Sequence, residues 1–143
     1  MNLKKAKKNL EKLFKSLGLD FDFDENFDSN GNDRLKATNS ITIENYDDDI
    51  TVIIEYYPSG LCDVRFVFDQ LDKSHESFAL LNAFNNGVYG LKAYVRGDGF
   101  LEISSEAENV YDDQIADFVN TAFNNILNKS IEKYLVPISR RTV

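Results

Sequence analysis

The sequence predicts an α+β fold: a two-layer domain in which helices cover an antiparallel five-stranded sheet, in the order α-βββ-α-ββ-α over residues 1–143. Three observations carry this. Between Ser77 and Ser104, Phe78, Leu81, Phe84 and Val88 recur at helical spacing, and the period then switches to alternation at Leu91, Ala93 and Val95. The runs Ile50–Tyr57 and Cys62–Phe68 are dense in branched and aromatic residues, which suit a pleated, half-buried surface. A last segment holds the helical period through Ile115, Phe118, Val119, Ala122, Phe123, Ile126, Leu127, Ile131 and Leu135.

In chain order, Leu3, Ala6, Leu10, Leu13, Phe14 and Leu17 form one stripe of a first helix. Lys4, Lys5, Lys7, Lys8, Lys12 and Lys15 take its other side and Gly18 closes it. Residues 19–39 form an acidic loop, with Phe21, Phe23 and Phe27 available to tack it to the core. Its Asp20–Asp33 part invites a calcium reading that the spacing refuses. With Gly31 at the obligatory glycine of a twelve-residue calcium loop, Asn26, Asp28 and Asn30 fit the early ligands, but Ala37 falls where the closing Glu is needed.

A first strand is predicted over Ser40–Asn45, a turn at Asp47-Asp48-Asp49, and a second strand from Ile50 to Tyr57. Pro58-Ser59-Gly60 makes the next turn, and the third strand follows with Cys62, Val64, Phe66 and Phe68 facing the core. Asp72 or Ser74 caps the central helix, which ends near Asn86. Gly97-Asp98-Gly99 turns the hairpin that returns through Leu101 and Ile103, and an acidic loop with Glu106 and Glu108 precedes the last helix. Asp112 and Asp113 suit that helix's N-terminus, Lys129 and Lys133 its end, and Pro137 stops it, leaving 137–143 as a frayed tail.

The charge is −8, and it is unevenly placed. The first helix is basic, whereas Ala37–Pro137 holds 17 acidic and six basic residues, a balance of −11 that repels nucleic acid and favours basic partners. One cysteine excludes an internal disulfide, and no run reaches the ~20 apolar residues of a membrane span, so a reducing cytoplasm is expected and no membrane association. Nothing resembles a secretory signal.

No catalytic set is visible. His75 is the sole histidine and has no cysteine or acidic cluster at zinc-ligand spacing. Cys62 alternates with core positions, as a buried inert thiol does. Gly87, Gly90, Gly97 and Gly99 build no phosphate loop. We expect no enzyme activity, no cofactor and no metal site.

The element order resembles the type III secretion chaperone-like fold, and within it the YbjN group. The stretch LLNAFNNGVYGLKAYVRGDGFLEISSE carries the resemblance, with its Asn-containing helix end, its Asp-Gly hairpin turn and its acidic loop before a last helix. The resemblance implies a protein-binding domain, often dimeric, without an established enzymatic site. The function expected is therefore non-enzymatic protein binding, chaperone-like or regulatory, through a sheet or helix surface and with a homodimer. The alternative is a small acidic inhibitor that blocks a basic or nucleic-acid-binding surface of another protein. Ile53, Tyr57, Leu61, Val67 and Tyr94 are the candidate partner or dimer contacts, because they add apolar character to the strand face opposite the core.

Overall fold

The computed structural model describes residues 1–27, 29–42, 49–70, 75–87 and 90–127. The first helix, α1 (Leu3–Leu17), is capped at its start by Asn2, whose side chain accepts from the Lys5 N–H. It ends at Gly18, whose φ of 69° is the left-handed cap expected of it. Then come β1 (Asp22–Asp24), β2 (Leu35–Ile41), β3 (Ile50–Tyr56), β4 (Cys62–Gln70), α2 (His75–Gly87), β5 (Lys92–Val95), β6 (Phe100–Ala107) and α3 (Ile115–Leu127). The strands form one antiparallel sheet in the order β1-β2-β3-β4-β6-β5.

Among the described residues the sheet thus has six strands and not five. The extra one, β1, lies inside the stretch 19–39 read as an acidic loop, where Asp22 and Asp24 hide the strand from a hydrophobicity pattern. The first predicted strand also moves back: β2 runs from Leu35 to Ile41 rather than from Ser40, since Leu35 and Ala37 supply the buried positions. Ile43–Asn45, Asp47, Asp48, Asp72, Ser74, Val88, Asp28 and the predicted continuation of the last helix with its tail, 128–143, lie outside the described residues, as does the side chain of His75.

Register shows why one face is core. Ile54 stands opposite Ala37 on β2 and Val64 on β4, Val52 opposite Phe66, and Phe66 opposite Ile103, which in turn faces Ala93. These side chains share one surface of the pleat. They form a single buried cluster with Ala6, Leu10 and Phe14 of α1, Leu81 and Phe84 of α2, and Ile115, Val119, Ala122 and Phe123 of α3. All three described helices therefore cover the same face. At its centre the Phe14 and Phe21 rings stack at 4.0 Å, and Phe123 meets Phe66 edge-on at 5.7 Å.

Three predicted core positions fail. Phe78 is 45% exposed, Leu17 44% and Phe27 65%, while Phe21 is buried as expected. Phe78 and Leu17 keep the helical spacing but fall in the first turn of α2 and at the last residue of α1, at the ends of their stripes. The turns at Pro58-Ser59-Gly60 and Gly97-Asp98-Gly99 are as read. Gly60 takes φ 91° and donates to the Tyr57 carbonyl, and Gly99 takes φ 88° and donates to that of Arg96.

Candidate protein-binding face

The other face of the sheet carries the candidate residues, and among the described residues no helix packs on it. Strand register sorts its side chains into rows. One row reads Thr51, Val67, Glu102, Tyr94; the next Thr38, Ile53, Arg65, Ser104, Lys92; the third Lys36, Glu55, Asp63, Glu106. Ile53 and Val67 are diagonal neighbours and half-buried, while Tyr94, beyond Glu102, is exposed. Tyr57 and Leu61 lie apart from these three, at the turn end of the β3–β4 hairpin. There they line an open cleft of about 580 Å³ with Asn32, Asp33, Pro58 and Ser59.

Between the two groups sits an ion-pair network that our sequence reading did not find. Glu55, buried, accepts from Arg34 Nη1 at 2.7 Å through one carboxylate oxygen and from Arg65 Nη2 through the other. The Tyr57 hydroxyl is 3.4 Å from Glu55 Oε2, and Arg65 Nε lies 3.3 Å from Asp63 Oδ2. A signal for it existed. The Pro58-Ser59-Gly60 turn sets Tyr56 opposite Cys62 and hence Glu55 opposite Asp63, which puts Arg65 one diagonal step from Glu55. A buried Glu55 beside a half-buried Asp63 calls for such a cation.

Arg65 is shared by more acid than it can neutralise. Burial pushes the Asp63 carboxyl up to about 6, against the pull of Arg65 and with help from Glu106, Glu55 and Glu102. Burial also raises Glu102, again opposed by Arg65. The Nε atoms of Arg34 and Arg65 are buried and make no hydrogen bond, so Arg34 is held through Nη1, and Arg65 through Nη2 and the ion pair of its Nε with Asp63.

This arrangement fixes the shape of the surface around Glu55. Glu55 is tied down by two arginines, and the Cys62 thiol, buried on the far face, is pushed up to about 12 by burial. Among the described residues no three His, Cys, Asp or Glu side chains gather to hold a metal, and no helix is long and apolar enough to cross a membrane.

No family model matches the chain, and no curated protein does. Among solved structures, the Yersinia pestis type III secretion chaperone SycH, crystallised with a stable fragment of YscM2, is similar over 86% of this chain and 99% of its own. The identity is 12% and the TM-score 0.44. A likeness of that size decides neither family nor function.

Proposed function

We propose that the chain is a non-enzymatic, chaperone-like or regulatory binding domain whose partner, another protein or a second copy of the chain, lies on the sheet face that no described helix covers. The observation that supports this is the face itself: Ile53, Val67 and Tyr94 stand around a rigid Arg34–Glu55–Arg65–Asp63 network with no described helix above them. A partner that covers the apolar members gains about 25 cal/mol per Å² of apolar surface, and the network needs no reordering to receive it. Charges of both signs lie on this face, which favours a contact led by shape over the blocking of a basic surface by an acidic one.

A photo-crosslinking residue placed at Tyr94, compared with one at Lys12 on the outer side of α1, tests the reading. Protein adducts, including the self-adduct of a homodimer, are expected from position 94 and not from position 12. Val67→Asp should abolish them. No adduct at 94, or equal adducts at both positions, would remove this face as the contact surface.

A further inference from the structure

Among the described residues strand β5 ends the sheet, and an edge strand presents unpaired backbone N–H and C=O groups that another strand can take. The Arg96 N–H donates to the Phe100 carbonyl at 2.8 Å, which sets the phase of the β5–β6 ladder. Bonded pairs fall at residues 92, 94 and 96, so the N–H and C=O groups of Ala93, opposite Ile103, and of Val95, opposite Leu101, point away from β6. Those of Ala93 are not left open. The Asn85 carboxamide of α2 donates through Nδ2 to the Ala93 carbonyl at 2.8 Å and accepts from the Ala93 N–H through Oδ1 at 2.6 Å.

A primary amide that offers one donor and one acceptor to the same residue reproduces what a peptide group of a neighbouring strand would offer. At the opposite edge, β1 is three residues long and carries Asp22 and Asp24, a short, charged strand of the kind that resists pairing. We propose that Asn85 closes the β5 edge, and that with Asn85 gone the freed edge pairs antiparallel with β5 of a second copy. The occupant follows from the geometry. Antiparallel pairing of β5 with itself about a twofold axis is self-complementary, and Ala93, in the middle of the four-residue strand, can meet its own counterpart. This goes beyond the reading of the open face and does not depend on it, because the edge and the face are different surfaces.

The test is Asn85→Ala, followed by light scattering and amide exchange. The variant should have a mass above that of the unaltered chain at equal concentration. Its Ala93 amide should exchange at least tenfold faster at low concentration, where it is monomeric, while the Val64 amide of the central strand is unchanged. Adding Ala93→Pro, which removes the freed N–H without touching the β6 ladder, should return the mass to that of the unaltered chain. Asn85→Ala without extra association would overturn the proposal. So would association that Ala93→Pro leaves intact, since the new contact would then lie elsewhere. Slower or unchanged exchange at Ala93 would show that Asn85 does not hold the edge in solution.

Discussion

The Tyr56 hydroxyl donates to the Val110 carbonyl at 2.5 Å, joining the end of β3 to the loop that leads into α3. Both residues are buried, and burial, with Asp112 and Asp113 nearby, pushes the phenol up to about 12, so it remains a donor through the neutral and mildly alkaline range. Tyr56→Phe leaves that carbonyl dry and unpaired. We expect a loss of about 1–3 kcal/mol in denaturant melts with little change in slope.

Phe123 touches Phe14, Phe21 and Phe66, and so joins α3 to α1, to the segment before β1 and to β4. Phe123→Ala should cost about 3–5 kcal/mol, because rings held on three sides cannot collapse into the space. A loss below about 1 kcal/mol would mean that α3 is not the main cover of the sheet.

Glu55→Gln removes the charge shared by Arg34 and Arg65 but keeps the volume. With Arg34 deprived of its carboxylate partner and Arg65 left to Asp63, stability should fall by about 3 kcal/mol. Adding Arg34→Leu should recover part of that loss, which a thermodynamic cycle of the single and double variants measures.

Asp63 carries a pH dependence with a definite sign. Its carboxyl titrates near 6 in the fold against 3.8 when unfolded, so between these values the folded state holds more proton than the unfolded one. Stability from this group is complete below pH 3.8, falls as pH rises through the window, and is lost above about 6. Because the side chain is 22% exposed, Asp63→Asn should flatten the stability profile between pH 4 and 6 by no more than about 2 kcal/mol, as urea midpoints across that range will show.

The legible part of the fold was where period and turn chemistry agree. Gly97-Asp98-Gly99 located the last hairpin and the alternation of Leu101 and Ile103 its buried face, since both signals are local. Strand β1 was illegible because Asp22 and Asp24 point to the open face and only Phe23, half-buried, faces the core. Of the candidate contacts, Ile53 and Val67 do lie together, but Tyr57 and Leu61 are displaced to the hairpin end, a separation that only strand register reveals. Asn85 gave no signal in the sequence. Its role depends on the phase of a ladder formed by residues that follow it in the chain.

The stacking of helix α1 on helix α3 makes the order of synthesis matter. Phe14 leaves the ribosome roughly 5–20 s before Phe123 at usual elongation rates, and until then the apolar stripe of α1 and the helical face of the sheet lack their main cover. Most of the core is thus made before it can close. A nascent chain of this protein halted after β6 should hold its strands only loosely and engage general chaperones, whereas release of α3 should end that dependence abruptly.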